Sequence, residues 1–151
     1  MDIFGIGPRI AASGVLSLAT ILIVGFNRQP LGYWFIPDVI RVGLGTALVI
    51  AGIYFWLDAV RLISTRFKTG VLITEGVYRF VRNPMYAGFI VFIVPGISLI
   101  LNNPLIMLSS IVMLLVFKMN IQKEEQYLKQ QFGAAYKEYM SKVKQIIPFV
   151  W

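Results

Sequence analysis

Two kinds of residue that usually carry catalysis are missing from this chain, which has no cysteine and no histidine. That removes disulfides, thiolate nucleophiles, imidazole bases and the ordinary Cys/His zinc sites. The remaining candidates cluster. Residues 76–88 read Gly-Val-Tyr-Arg-Phe-Val-Arg-Asn-Pro-Met-Tyr-Ala-Gly, which puts Tyr78, Arg79, Arg82 and Tyr86 in one short cationic stretch. Pro84 lacks a backbone N–H and biases Asn83 away from the α region, so a turn is expected here ahead of a new helix. Cations and phenols beside a helix N-terminus suit an anionic, polar ligand at the edge of a lipid phase. Further along, Asn120, Glu124, Tyr127 and Leu128 share one face at helical spacing, and that face can aim Glu124 back at the arginine-rich loop. A purely structural reading stands beside this one: Arg79 and Arg82 as anchors to lipid phosphates, Glu124 and Glu125 as i, i+4 partners of lysines.

The elements that must hold these groups are apolar. Of 151 residues, 58% are hydrophobic and 14% charged, against about a quarter charged in soluble domains. The composition predicts a single all-α domain over 1–151, an integral membrane helical bundle with about four transmembrane helices and cytoplasmic amphipathic C-terminal helices. The spans are expected over 10–26, 39–63, 86–101 and 105–119, with 1–69 as a transmembrane scaffold. Small residues in the first two spans suit close helix packing within the chain or between copies. Tyr33 and Trp34, in the loop over 27–38, fit an interfacial aromatic belt. Asp58, near the end of the second span, needs a partner, and Arg61 or Arg66 can supply it.

The third and fourth spans are short and form a tight hairpin through Asn102-Asn103-Pro104, with a kink expected at Pro95-Gly96. From 120 to 144 the pattern turns amphipathic, and Gly133 is expected to divide it into two helices. The closing apolar residues 146–151 are expected to rest against the membrane interface. The net charge of +7 sits in loops and a tail bordering apolar runs, which points to topology and anionic lipid and not to nucleic acid. The positive-inside rule places both termini in the cytoplasm, and no signal peptide is evident.

The order and spacing carry more than the charges do. Gly76-Val77-Tyr78, Arg82-x-Pro84-x-Tyr86-x-Gly88, Glu124-Glu125-x-x-Leu128, Phe132-Gly133, Tyr136, Tyr139 and Pro148 together resemble the isoprenylcysteine carboxyl methyltransferase and phospholipid methyltransferase superfamily. The resemblance covers residues 70–150, and the first half of the chain shares only its hydrophobicity. It implies an integral membrane enzyme that uses S-adenosylmethionine to methylate a lipophilic small molecule or a lipid-anchored substrate. It also implies a cofactor pocket made of Gly70, Val71, Leu72, Ile73, Tyr78, Asn83, Pro84, Met85, Tyr86 and Glu124, with Arg82, Tyr86, Asn120 and Glu124 as candidate catalytic residues.

Physical chemistry agrees with that assignment, because a carboxylate can meet the cofactor's ammonium and tyrosine rings can border adenine or the sulfonium. If the acceptor is an amine, Glu124, Glu125 or Tyr86 can take its proton. Two positions depart from the carboxyl methyltransferases. Asn83 stands where they have histidine, in a form familiar from microbial members, and Asn120 stands where they have an arginine that orients the substrate carboxylate. Two other readings remain open here. One is an NADPH-dependent sterol-type reductase, which shares an Arg-x-Pro-x-Tyr element but usually has an acidic residue where this chain has Phe89. The other is a non-catalytic lipid-binding scaffold.

Overall fold

The computed structural model describes residues 33–66 and 70–148, together with Ala12, Val15, Leu16 and Ala19. Those four are helical and exposed, and the rest of the span expected over 10–26 lies outside the described residues. Helix α1 runs from Asp38 to Arg66, with Asp38 in its first turn and Arg66 in its last, each placed to favour the helix dipole. A 3₁₀ turn follows over Gly76–Arg79. Helix α2 spans Pro84–Ile100. Its first residue is a proline, whose missing N–H costs nothing at that position. A 3₁₀ turn at Pro104–Ile106 leads into helix α3, Met107–Lys142. Among the described residues the fold is all-helical, apart from one parallel bridge between Val81 and Lys144.

Helix α2 does not break at Pro95-Gly96. The irregularity falls ahead of the proline instead, as a π-helical turn over Gly88–Ile93 in which the Val94 N–H reaches the carbonyl of Phe89. A proline ring clashes with the carbonyl four residues earlier, and widening the preceding turn by one residue relieves that clash while the helix continues. The expected hairpin is present: Asn102 takes φ 52, and its N–H and that of Asn103 satisfy the last carbonyls at Leu99 and Ser98. Asparagine tolerates this left-handed conformation better than most residues. Gly133, at φ 53 and ψ −121, interrupts α3 as its sequence context predicts.

Antiparallel α1 and α2 touch through glycine. A Cβ on Gly45 would sit 2.7 Å from the Gly96 carbonyl oxygen, and one on Gly52 would sit 2.7 Å from that of Gly88. Both contacts are closer than a real Cβ tolerates, so two pairs of backbones meet directly, and the small residues of this span serve packing within the chain. Between α2 and α3 the core is a ridge at i, i+4 spacing on each helix. Tyr86, Ile90 and Val94 face Met113, Phe117 and Ile121, with Val81 and Ile146 closing the end. Ile146 is fully buried, so the closing segment starts inside the bundle and not at an interface. Residues 149–151 lie outside the described residues.

The outer faces are apolar as well. Helix α1 and the helix over Pro104–Lys142 are long and apolar enough to cross a membrane, yet only 17% and 33% of their most apolar windows are buried inside the fold. Exposed Val42, Ile50, Ile53, Leu57, Ile111 and Leu115 form more apolar surface than a water-facing helix carries, which is compatible with lipid contact.

At the end of the bundle away from residues 70–83, Arg41 is buried and donates to the carbonyls of Leu99 and Ile100 while pairing with Asp38 at 2.7 Å. Trp34 donates its backbone N–H to Asn102 Oδ1 at 2.9 Å and its indole N–H to Ser98 Oγ at 3.2 Å. The tryptophan expected in an aromatic belt thus also ties the entry to α1 onto the hairpin. Gly96→Leu is expected to lower stability by about 1–3 kcal/mol through overpacking, read as a lower unfolding midpoint in detergent. Gly43→Ala, where an added Cβ meets nothing within 4 Å, is expected to leave that midpoint unchanged.

Candidate functional site

Arg82 is the hub of the other end. Its side chain is only 7% exposed. One guanidinium nitrogen donates to the carbonyls of Met140 and Val143 at 3.1 and 2.7 Å, and another donates to Glu125 Oε1 at 2.6 Å. Gln145 Nε2 donates to the same carboxylate oxygen at 2.8 Å. The backbone repeats the connection, with the N–H of Arg82 donating to the Lys144 carbonyl at 2.7 Å and that of Asn83 to the Gln145 carbonyl at 2.9 Å. Asn83 adds its side-chain amide to the Gln145 carbonyl at 3.3 Å. Arg82 is therefore not an anchor to lipid phosphates. It fastens the cationic loop to the C-terminal end of α3 and the strap after it, and Asn83 works in the same joint.

The apolar ridge Met113-Phe117-Ile121 continues one turn further to Glu125, which explains why this carboxylate is buried. Its neighbour Glu124, one residue round the helix, is partly exposed and accepts a hydrogen bond from the Tyr86 hydroxyl at 3.2 Å. The Tyr86 ring lies against Phe117, centroids 5.3 Å apart. The face carrying Glu124 does point back at the loop, but it is Glu125 that takes the arginine. The i, i+4 ridge was the signal that could have separated the two.

Tyr78 lies nearby in the Gly76–Arg79 turn. Burial, with smaller contributions from the Glu124 and Asp58 carboxylates, pushes its phenol above the ordinary tyrosine range, so Tyr78 stays protonated and available as a donor. Tyr139, from beyond Gly133, donates its hydroxyl to the Tyr78 carbonyl at 2.6 Å. Asn120 turns away from this group and gives its amide hydrogen to the Val116 carbonyl at 2.8 Å. Pro84 is buried and Met85 partly buried at the start of α2.

The stretch 70–73 lies beside Arg66, the last residue of α1. Gly70 takes φ 64 and Val71 is exposed. Val71, Leu72, Ile73, Thr74 and Glu75 line a cleft of about 240 Å³ with Arg66. A neighbouring cleft of about 440 Å³ is lined by Arg61, Leu62, Thr65, Arg66, Glu75 and Gly76. The candidate residues thus fall into two groups. Tyr78, Tyr86 and Glu124 are brought together, while Val71, Leu72 and Ile73 line a cleft whose walls contain none of those three. The Asp58 partner is Arg61, at 2.8 Å, and Arg66 pairs with Glu75 at 3.0 Å.

Among the described residues, an all-helical bundle with two helices long and apolar enough to cross a membrane brings together at one end Tyr78 of the fastened loop, Tyr86 of α2 and Glu124 of α3, an architecture compatible with a helical membrane protein. The phospholipid methyltransferase family matches residues 39–135, and the chain belongs to that family. Among similar proteins, Protein-S-isoprenylcysteine O-methyltransferase B of Arabidopsis thaliana is 39% identical over 107 residues, covering 70% of this chain and 52% of its own length. A probable protein-S-isoprenylcysteine O-methyltransferase of Oryza sativa subsp. indica is 35% identical over 128 residues, covering 78% of this chain and 64% of its own. That of Schizosaccharomyces pombe is 32% identical over 125 residues, covering 83% and 50%. The chain therefore spans between half and two thirds of the length of these relatives. No solved structure matches it significantly.

Removing the hub's cation strands a buried carboxylate. Arg82→Ala is expected to cost about 3–5 kcal/mol of stability, measured as a lower denaturation midpoint in detergent. Arg82→Lys is expected to recover little, since one ammonium cannot serve two carbonyls and a carboxylate in the fork geometry of a guanidinium. The paired change Arg82→Met with Glu125→Leu is expected to fall closer to the wild type than Arg82→Ala alone.

Proposed function

We propose that this protein is an integral membrane methyltransferase that moves a methyl group from S-adenosylmethionine to a lipophilic, lipid-anchored acceptor. The observation that carries the reading is the hydrogen bond from Tyr86 to Glu124 beside a half-buried, protonated Tyr78. It joins motif pieces that lie 38 residues apart, inside the stretch matched by the family. The printed names of the relatives, protein-S-isoprenylcysteine O-methyltransferases, support an acceptor that presents a carboxylate oxygen on a prenylated cysteine.

The residues present fit the methyl donor. Glu124 can hold its ammonium, because a partly exposed carboxylate is a charge-assisted acceptor for it. The rings of Tyr78 and Tyr86 can face adenine or the sulfonium, with Asn83, Pro84 and Met85 at the head of α2, while 71–73 line the separate cleft beside Arg66. When bound, S-adenosylmethionine supplies an electrophilic methyl group. The chain's own residues then orient the partners and exclude water, and no covalent link to the protein is needed. A carboxylate acceptor has no proton to lose at neutral pH, so Glu124 serves as a binding group; for an amine acceptor, its carboxylate would take the proton. Arg82 acts by holding the loop. Asn120, whose amide is turned to Val116, borders the acceptor side without supplying a cation.

The reading places four spans in the membrane, the loop over 64–85 and the tail after the fourth span on the cytoplasmic side with both termini, and the acceptor entering from the bilayer. Two apolar helices with mostly unburied windows support it.

The test is calorimetric titration of the detergent-purified protein with S-adenosylhomocysteine. Saturable micromolar binding is expected, with a loss of about tenfold or more in Glu124→Gln, a step of about 1.4 kcal/mol. Tyr86→Phe, which keeps the ring and loses the hydroxyl, is expected to lose less. Folded wild-type protein that binds no S-adenosylhomocysteine would overturn the proposal.

A further inference from the structure

Asp58 is the buried carboxylate that the site's description leaves without a task. It sits near the end of α1 and is 9% exposed, and its ion pair with Arg61 is one-sided, because the arginine side chain is 71% exposed. An exposed partner of that kind gives a buried acid little return. The second oxygen has a more specific role: Oδ2 accepts the backbone N–H of Val77 at 3.0 Å, in a buried bond that crosses 19 residues. Val77 itself is fully buried, so without Asp58 its N–H would be left unsatisfied among apolar groups.

The preceding residue fits the same contact. Gly76 takes φ 57, and a Cβ built on it would collide with the Asp58 carboxylate. The backbone therefore needs glycine there twice, for its left-handed conformation and for the approach of Oδ2. Tyr78 follows directly. The backbone is held on either side of the Val77–Tyr78 link, with the N–H of Val77 bonded to Asp58 from α1 and the carbonyl of Tyr78 to Tyr139 from the C-terminal arm.

We propose that Asp58 is a positioning residue for the methyl donor. As an acceptor for the Val77 N–H, it sets the Gly76–Arg79 turn so that Tyr78 faces Glu124 and Tyr86. The inference rests on the cofactor reading of Tyr78. It assigns the work to the carboxylate oxygen as a hydrogen-bond acceptor and not to the charge pair with Arg61.

Three variants separate these roles. Asp58→Asn keeps an acceptor oxygen, Asp58→Ala removes it, and Arg61→Ala removes only the exposed cation. S-adenosylhomocysteine affinity is expected to fall about tenfold in Asp58→Ala and to stay within about threefold of wild type in Asp58→Asn and Arg61→Ala. Amide hydrogen exchange of the 75–80 segment in ligand-free protein is expected to speed up in Asp58→Ala alone. Should Asp58→Ala not fold, Gly76→Ala perturbs the same contact from the other side and is expected to show both effects.

Wild-type affinity in Asp58→Ala, or losses in Asp58→Asn or Arg61→Ala as large as in Asp58→Ala, would overturn the proposal. If the wild type itself bound no S-adenosylhomocysteine, the cofactor reading would fall and the donor-positioning role with it, while exchange in the 75–80 segment would still report whether Asp58 holds the turn.

Discussion

A buried guanidinium cannot be left half-paired in an apolar bundle, and at Arg82 that constraint organises the whole functional end. The cation needs the Glu125 carboxylate, which arrives at the foot of the α3 ridge. It also needs two carbonyls, which arrive only if α3 continues past Gly133 and ends near Val143. Once those groups are in place, the chain after α3 lies beside residues 81–83, and Ile146 drops into the core. The loop, the long helix and the strap thus become one joint. Loss of any one partner leaves another buried and unpaired, which ties the order of the site to the order of the fold.

Beyond that joint the apolar part of the bundle packs backbone on backbone. Where Gly45 meets Gly96 and Gly52 meets Gly88, the backbones of α1 and α2 are in contact, and little side-chain volume remains to rearrange. Pro95 is accommodated by one widened turn instead of a hinge. Helix α1 can then deliver Asp58 to the motif turn from a fixed distance, and α2 can deliver Tyr86 to Glu124.

The polar groups at the two ends follow a common logic. Arg41 meets the spent carbonyls at the end of α2, and Arg82 meets those at the end of α3. Both cations sit where a helix terminus offers partial negative charge. At the Arg41 end the guanidinium and Trp34 close the hairpin. At the Arg82 end Tyr86 also meets Glu124, and Tyr139 meets the Tyr78 carbonyl.

The sequence by itself determined the helical class, the hairpin at Asn102-Asn103-Pro104 and the interruption at Gly133. Each of these follows from local rules: apolar run length, proline and glycine punctuation, and i, i+4 spacing. It also singled out Glu124 and Tyr86, which the fold brings together. It did not separate Glu124 from Glu125, because attention to the Asn120-Glu124-Leu128 face passed over the Met113-Phe117-Ile121 ridge, about 100° round the helix, which continues to the buried Glu125. It likewise left Arg82 as a candidate for lipid or substrate, since the carbonyls of Met140 and Val143 are invisible in side-chain patterns. The Asp58 bond to Val77 joins a helix to a loop through a backbone hydrogen. Only the tertiary structure settles such a contact, because every residue but proline carries that donor and distance alone selects which one is used.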